Sequence, residues 1–430
     1  MLALWFDFSC PFAYLASRRA PALGVDIDWR PMLLGGVFRG TGAGDGPMAT
    51  LSPAKARHNL ADMHRWAALF DIPFRMPAAH PMRTVRALRV VLGLPREAWP
   101  AAIGAIYAAY WERGDDITSD AVLAAALAAA GIDAAPALAA ADTDAVKDEL
   151  RRRTDEAVAL GIFGAPAWVL PDRPLVWGQD RMMWVEAALA GRGPDDAGAA
   201  PHPLVAPAAV PGAEVDVYYD VASPFAYLAL TQVPALAAAG ARVRLVPILL
   251  GGLFRDIGQH DVPLLAFPPA KQAYVRRDMD RWARWWGVPF AMPSRFPQRT
   301  VAAQRLVLVA DPARALPLAI ALGRAMWAEG RDLEDEATLR AILDGVGESP
   351  ALLDRTRDAD VKARLAANTA AARDAGVFGV PTFVTRTVVD GLGSSADGSS
   401  GPSPVGTRLF WGQDRLELVA RTLAGWDCPP

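Results

Sequence analysis

The segment DFSCPFAYL at residues 7–15 recurs as DVASPFAYL at residues 220–228, with six of nine residues identical. In each copy, a short β-rich apolar run ends at an acidic residue, and a Ser-Pro or Cys-Pro step then opens an apolar-periodic stretch. Proline is favoured at the first position of a helix, and short apolar runs are typical of buried strands. Both copies therefore predict a strand that leads directly into a helix.

Two further motifs recur in the same order. PMLLGGVFR (31–39) matches PILLGGLFR (247–255) at seven of nine positions, and WGQDR occurs at both 177–181 and 411–415. Unrelated segments of this combined length would share only about one or two residues at ordinary frequencies. The sequence is therefore a tandem duplication. The second copy contains 19 extra residues in the Gly/Ser-rich stretch 390–406, which predicts a long loop there.

Each copy predicts a β-α-β opening, an all-helical insertion, and a β-β-α closing segment, which is an α/β fold. We expect a first unit over residues 1–192, a Pro/Ala/Gly-rich linker over 193–212, and a second unit over 213–426. The helical insertions are expected at about 50–160 and about 266–375, where amphipathic periodicity is strongest.

The composition excludes several classes of protein. The net charge of the 430-residue chain is −3, which favours neither a nucleic-acid partner nor an anionic membrane surface. Its two cysteines cannot form a disulfide framework, and its five histidines lack the spacing of a metal site. The longest apolar run, residues 121–132, is too short to cross a bilayer. These features predict a soluble, cytoplasmic protein without a metal.

Cys10 and Ser223 occupy the same candidate position, at the end of the first strand and directly before the proline that begins a helix. A helix N-terminus stabilises a thiolate, whether the protein's own or that of a bound ligand. The alternative is that either side chain only caps the helix. No histidine occurs at matching positions in both copies to act as a base, so Ser223 is better suited to donating a hydrogen bond to a cofactor's sulfur anion.

Pro166 and Pro381 each begin a strand-like run. A cis proline there would turn the backbone of the preceding residue towards an extended peptide ligand, whereas a trans proline is the ordinary alternative. Asp180 and Asp414, within WGQDR, either cap the last helix or also hold a cationic amine.

Only four of the 44 basic residues are lysines, and they pair between the copies as Lys55 with Lys271 and Lys147 with Lys362. Lys55 and Lys271 follow Pro-Ala before a predicted helix, where they are either solvated charges or anion-binding groups.

Together, five motifs of the second copy resemble 2-hydroxychromene-2-carboxylate isomerases and kappa-class glutathione transferases, which have the DsbA-like form of the thioredoxin fold. These motifs are DVASPFAYLA (220–229), PILLGGLF (247–254), PPAK (268–271), GVFGVPTFV (376–384) and WGQDR (411–415).

The resemblance implies a glutathione site. Ser223 would hydrogen-bond the glutathione sulfur, and the backbone of Val380, before a cis-Pro381, would pair with the cysteinyl part. The other implied contacts are Gln413 and Asp414 at the γ-glutamyl end, Lys271 near the charged groups, and Gln259 close to a position usually occupied by Asn, where the first copy has Ala43.

The first copy departs from the family pattern. Cys10 replaces the serine, and Ala13 stands where a resolving cysteine would be, so no dithiol–disulfide cycle is available within the motif. The corresponding positions for glutathione in this copy are Lys55, Ala165, Pro166, Gln179 and Asp180. We expect the second copy to contain the more family-like site.

The reaction implied is a glutathione-dependent isomerisation of an aromatic hydroxy-acid in aromatic catabolism. Its pocket is expected between the thioredoxin-like part and the helical insertion. The alternatives are a kappa-type transferase or peroxidase, a thiol oxidoreductase acting through Cys10, and a non-catalytic binding protein. Relatives often dimerise, so the copies are expected to form an internal pseudo-dimer, with a further homo-oligomer left open.

Overall fold

The structure, a computed structural model, describes residues 1–44, 46, 51–259, 263–388 and 405–430. Most of the loop predicted over 390–406 lies outside the described residues. Its last two residues, 405 and 406, are described and belong to a strand.

The described chain divides into two compact units whose bounds do not follow the two sequence copies throughout. The first turns of two long helices are exchanged between the units, which the sequence did not predict. Unit 1 comprises Met1–Leu51, Asn59–Ala199 and Phe267–Tyr274, and unit 2 comprises Ser52–His58, Ala200–Ala266 and Val275–Pro430.

Each unit contains a four-stranded mixed sheet, which confirms the predicted α/β class. The orders are β2-β1-β3-β4 and β6-β5-β7-β8. In each sheet the first strand of the copy pairs parallel with the second and antiparallel with the third. The strands are β1 (Leu2–Phe6), β2 (Ile27–Pro31), β3 (Ala167–Val169) and β4 (Val176–Trp177), then β5 (Glu214–Tyr219), β6 (Arg242–Pro247), β7 (Thr382–Val388) and β8 (Val405–Trp411).

The helices of the first copy include the insertion expected at about 50–160. They also include α2, which the sequence analysis did not predict. These helices are α1 (Pro11–Arg19), α2 (Leu34–Thr41), α3 (Pro53–Leu69), α4 (Val85–Leu92), α5 (Trp99–Ala108), α6 (Asp120–Ala129), α7 (Ala134–Ala140), α8 (Asp144–Ala159) and α9 (Met182–Leu189). A π-helical turn, Ala109–Arg113, extends α5.

The second copy repeats this order, and each of its four strands is longer than its counterpart. Its helices are α10 (Pro224–Ala238), α11 (Leu250–Asp256), α12 (Pro269–Trp286), α13 (Val301–Val309), α14 (Pro312–Trp327), α15 (Glu336–Gly345), α16 (Leu352–Arg355), α17 (Ala359–Asp374) and α18 (Leu416–Leu423). Among the described residues, no helix is both long and apolar enough to cross a membrane.

An equivalent tryptophan in each unit joins the helical insertion to the loop after the first strand. Trp111 Nε1 donates a hydrogen bond to Phe8 O at 2.9 Å, and Trp327 Nε1 donates to Val221 O at 2.7 Å. Both indoles are fully buried, so each bond is shielded from water and holds its loop in place.

Candidate functional site

A buried carboxylate shapes the loop that presents Ser223 in unit 2. Asp220, directly after β5, accepts hydrogen bonds from the Ala222 N–H at 3.0 Å, the Thr300 hydroxyl at 2.7 Å and the Leu250 N–H at 2.9 Å. Burial raises the pKa of Asp220 despite these donors. One side chain thus connects the loop, the start of α11 and the helical insertion.

Asp7 has the same role in unit 1, where it accepts from the Ser9 N–H at 3.0 Å and the Leu34 N–H at 2.7 Å. Burial also raises its pKa. The sequence analysis did not single out either aspartate. The sequence signal that could have identified them is that both occupy the first position of the repeated motif.

Ser223 is the N-cap of α10. Its Oγ accepts from the Ala226 N–H at 3.3 Å and lies 3.3 Å from Val380 O, to which the hydroxyl donates. The capping alternative therefore describes one of its bonds. The hydroxyl proton, which now points to Val380 O, is the group that a ligand could accept. Ser223 itself is almost fully buried.

The peptide bonds Val380–Pro381 and Ala165–Pro166 are both cis. Pro381 O accepts a hydrogen bond from the Gly412 N–H at 2.9 Å, which joins the proline segment to the WGQDR turn. A methyl group on Gly379 would lie 2.7 Å from Trp411 Nε1, so only glycine lets the indole approach this closely.

Gln413 and Asp414 follow Gly412 in a short 3₁₀ turn that leads into α18. The Asp414 carboxylate lies 3.1 Å from the Arg415 guanidinium. The N-cap of α18 is Arg415 and that of α9 is Arg181, so neither Asp414 nor Asp180 occupies the N-cap of the last helix.

Lys55 and His58, from the first two turns of α3, belong to unit 2. The Lys55 ammonium lies 4.9 Å from the ring centre of Trp411, and His58 Nε2 accepts the Trp411 N–H at 3.0 Å. Burial lowers the pKa of Lys55. A lysine from the first copy thus lies beside the WGQDR turn of the second copy. The sequence shows that the lysines pair, but not which turn each one reaches.

Lys271 shows the reciprocal arrangement. It belongs to unit 1, with its ammonium 4.1 Å from the ring centre of Phe267 and 5.7 Å from that of Trp177. The sequence analysis grouped Lys271 with Ser223. The structure instead places it beside the WGQDR turn of the first copy, because the first turn of α12 belongs to unit 1.

Gln259 follows α11, and its N–H donates to Phe254 O at 2.8 Å. Among the described residues, no hydrogen bond joins its side chain to the loop of Ser223. Ala43, its counterpart, has no polar side chain.

In unit 1, Cys10 takes the place of Ser223. Its thiol donates to Ala165 O at 3.1 Å, but its side chain does not cap α1. Burial raises the pKa of Cys10 to about 12, and this outweighs the nearby backbone N–H groups that favour the thiolate. The expected effect of the helix N-terminus on this thiol is therefore overridden by desolvation.

Gln179 is buried, and its Oε1 accepts from Arg19 at 2.7 Å. Its Nε2 has no hydrogen-bond partner within the described part of the chain. Asp180 lies 3.0 Å from Arg181, as Asp414 lies beside Arg415. Pro166 O accepts from the Gly178 N–H at 3.0 Å, so the backbone frame of the two sites is the same.

A search against family profiles agrees with this geometry, since the DSBA-like thioredoxin domain matches residues 1–190 and again residues 214–424. The chain belongs to the DsbA-like thioredoxin family. It contains two DsbA-like domains in tandem, as the sequence predicted.

The curated relatives each match about half of this DsbA-like chain. A 2-hydroxychromene-2-carboxylate isomerase of Sphingobium xenophagum is 29% identical over 189 residues, covering 43% of this chain and 95% of the relative. Glutathione S-transferase kappa 1 of Caenorhabditis elegans is 25% identical over 221 residues, covering 49% and 90%. These relatives support an enzyme of the glutathione-related isomerase and transferase group.

Among solved structures, a 2-hydroxychromene-2-carboxylate isomerase covers 49% of this chain and 94% of its own, with 24% identity and a TM-score of 0.40. A probable DsbA oxidoreductase of Streptomyces coelicolor has 22% identity, covers 49% and 96%, and has a TM-score of 0.36. Scores this low support no functional comparison.

The donors and acceptors of unit 2 fit glutathione. A bound zwitterionic γ-glutamyl end would need a cation and an anion, and Lys55 and Asp414 are charged groups of the two signs beside the WGQDR turn. A bound cysteinyl thiolate would need a hydrogen-bond donor, and the Ser223 hydroxyl would be that donor.

Proposed function

We propose that the chain is a glutathione-dependent isomerase of an aromatic hydroxy-acid of the 2-hydroxychromene-2-carboxylate type, and that unit 2 contains the working site. The observation that carries the proposal is the Ser223 hydroxyl at the N-terminus of α10, 3.3 Å from the carbonyl before a cis proline. The isomerases among the relatives favour this reaction. A cytoplasmic location and an internal pseudo-dimer belong to the same proposal.

The protein's own task is to bind, orient and stabilise charge. The Ser223 hydroxyl turns from Val380 O to the sulfur anion, and the N-terminus of α10 adds a favourable field. Asp220 holds the loop so that this donor keeps its position. Glutathione held beside Ser223 would supply the nucleophilic thiolate that such an isomerisation needs.

A kappa-type transferase is the second candidate, because kappa transferases of Caenorhabditis elegans and Rattus norvegicus are also among the relatives. It would use the same thiolate but release a conjugate. The Cys10 oxidoreductase is disfavoured by the buried thiol, whose pKa is raised to about 12.

Calorimetric titration with glutathione tests the site, with Ser223→Ala compared with Cys10→Ala at the matching position of unit 1. We expect Ser223→Ala to weaken binding at one site at least tenfold, and Cys10→Ala to leave that site unchanged. Turnover is then assayed with 2-hydroxychromene-2-carboxylate with and without glutathione. Formation of a glutathione conjugate instead of an isomer would favour the transferase, and absence of glutathione binding would reject both.

A further inference from the structure

The start of the WGQDR turn in unit 2 is hydrogen-bonded to a histidine side chain. The turn begins at the end of β8, the last strand in the order of its sheet. The Gly412 N–H donates to Pro381 O, so the N–H of Trp411, one residue earlier, points away from β7. This N–H donates to His58 Nε2 at 3.0 Å. A side chain thus satisfies a donor that an interior strand would give to its neighbour.

Unit 1 has the same arrangement with a different residue. Tyr274 lies 216 positions after His58, at the matching place in α12, and its hydroxyl accepts the Trp177 N–H at 3.0 Å. The Tyr274 ring packs against Phe163 with centres 5.3 Å apart, as His58 packs against Phe378 at 5.6 Å. Both side chains are buried. The two units therefore differ here in the chemistry of the acceptor and not in its position.

The two acceptors respond differently to a proton. A backbone N–H can only donate, so the contact with Trp411 requires a neutral imidazole that carries its proton on Nδ1. An imidazolium has a proton on both nitrogens and cannot accept this bond. The Tyr274 hydroxyl accepts from Trp177 and also donates to Trp177 O at 3.2 Å. Phenols ionise only near about pH 10, so this acceptor stays the same between about pH 5 and 8.

The contact of His58 adjoins the candidate site. Gly412, the residue after Trp411, donates to Pro381 O. The carbonyl before that proline accepts the Ser223 hydroxyl. A proton on Nε2 would bring two N–H groups face to face at Trp411, and the turn would have to move. The protonation state of His58 is therefore coupled to the residues that face the proposed ligand.

Charged groups lie near His58 on its own helix and in the turn. They are Lys55, Arg57 and Asp62 on α3, and Asp414 and Arg415 in the turn, which pair with each other. Segment 375–381, which includes Phe378, contains no charged residue. Lys55 disfavours a second cation, whereas Asp62, one helical turn after His58, favours one. These charges set the pH at which His58 takes up a proton, but a protonated Nε2 cannot accept the Trp411 N–H at any pH.

We propose that His58 is a positioning residue of the Ser223 site, which holds the WGQDR turn only while its imidazole is neutral. Protonation of His58 releases the turn and weakens glutathione binding in unit 2. The turn of unit 1, held by Tyr274, does not respond over the same pH range. The effect on binding rests on the proposed function, whereas the hold on the turn does not.

Amide NMR of the full chain, labelled with nitrogen-15 tryptophan, tests the hold without glutathione. We expect the backbone resonance of Trp411 to follow a histidine titration between about pH 8 and 5, and that of Trp177 to stay constant. His58→Gln, whose amide oxygen accepts an N–H without titrating, should abolish the response of Trp411, and Tyr274→His should create one at Trp177. No titration of Trp411 in the wild type, or an unchanged one in His58→Gln, would overturn the inference.

Calorimetric titration with glutathione measures the effect on binding. We expect wild type and His58→Gln to bind about equally at pH 8, and the wild type to bind about tenfold more weakly than His58→Gln at pH 5. Comparing the two proteins at each pH cancels the titration of glutathione itself. His64→Gln, on the same helix but packed against Phe74, is the control and should keep the wild-type profile. A thermal midpoint of His58→Gln close to that of the wild type at pH 8 excludes unfolding as the cause.

The outcomes separate this inference from the proposed function. If glutathione binds but the ratio of the two dissociation constants is the same from pH 8 to 5, the proposed function stands and the inference fails. If glutathione does not bind but Trp411 titrates through His58, the proposed function fails and the hold of His58 on the turn stands.

Discussion

Cys10 and Ser223 occupy the same backbone position and are both buried, yet the two side chains differ in chemistry. Each donates to the carbonyl before a cis proline, at 3.1 Å from Sγ and 3.3 Å from Oγ. The serine oxygen also caps its helix by accepting the Ala226 N–H, whereas the Cys10 sulfur, a weak acceptor, makes no capping hydrogen bond. The difference teaches that the position selects a hydrogen-bond donor, and that burial keeps the ionisable donor of the two, the Cys10 thiol, in its neutral form.

The residues behind the two loops also differ. In unit 1 the Tyr107 hydroxyl donates to Asp7 O at 3.2 Å. In unit 2 the Tyr107 position is Gly323, and Gln304 Nε2 instead donates to Tyr219 O at 2.8 Å. The end of the first strand is thus hydrogen-bonded by a phenol in unit 1 and by an amide in unit 2. The two units use different residues next to their candidate sites.

The largest expected difference concerns the reactivity of Cys10. A pKa of about 12 leaves roughly a thousandfold less thiolate at pH 8 than an ordinary cysteine has. In a Cys428→Ser background, we expect iodoacetamide to label Cys10 about a thousandfold more slowly in the native protein than in denaturant. Labelling at the rate of a free thiol would show that burial does not suppress the ionisation of Cys10.

The next prediction tests whether the two backbone frames are equivalent. In Gly379→Ala and Gly164→Ala, the new methyl group would lie 2.7 Å and 2.8 Å from a tryptophan Nε1. Overpacking of this kind lowers the free energy of unfolding by about 1–3 kcal/mol, and we expect this in both variants by urea denaturation. Gly251→Ala, whose methyl group meets nothing within 4 Å, is the control. A destabilisation confined to one variant would mean that the frames differ.

The exchanged lysines give a smaller, site-specific effect. We expect Lys55→Ala to weaken glutathione binding at the Ser223 site about tenfold, or about 1.4 kcal/mol, and Lys271→Ala to leave that site unchanged. The exposed Lys362→Ala is the control. If Lys271→Ala weakened binding at the Ser223 site and Lys55→Ala did not, Lys271 would belong to the Ser223 site, as the sequence analysis expected.

The smallest effect should be common to both units. Burial raises the folded-state pKa of Asp7 and of Asp220 above the ordinary value of 3.8. The folded state therefore binds more protons than the unfolded state just above pH 3.8, so these groups make stability fall as pH rises through that window. We expect Asp220→Asn and Asp7→Asn to reduce this slope, each by at most about 1.4 kcal/mol per pH unit. A steeper fall in either variant in urea unfolding between pH 4 and 7 would contradict the prediction.

Much of the fold could be predicted from local patterns. The apolar runs ending at Asp7 and Asp220 predicted the first strands, and Pro11 and Pro224 marked the starts of α1 and α10. The helix α2 was missed because Leu-Leu-Gly-Gly is apolar and glycine-rich, which does not indicate a helix by periodicity. Its start is stabilised by the carboxylate of Asp7, a contact across 27 residues that no local pattern contains.

The residues of the candidate site likewise include some that the sequence predicted and some that only the structure shows. Ser223, Val380 and the WGQDR turn were recognisable because motifs repeat, but nothing in the sequence indicated that Lys55 lies beside Trp411. Spacing between residues 55 and 411 is set by the path of the chain, not by helix or strand periodicity. The acceptor of the Trp411 backbone N–H was missed for the same reason: His58 was one of five histidines without a shared pattern.

The sequence by itself determined the duplication, the α/β class and the position of one donor side chain in each copy, because these depend on repeated motifs and on local periodicity. Only the tertiary structure decided which lysine reaches which turn and whether Cys10 is a thiolate or a thiol. Both depend on what surrounds a side chain in space: the exchanged first turns of α3 and α12 move the lysines, and the desolvation of Cys10 outweighs the field of its helix.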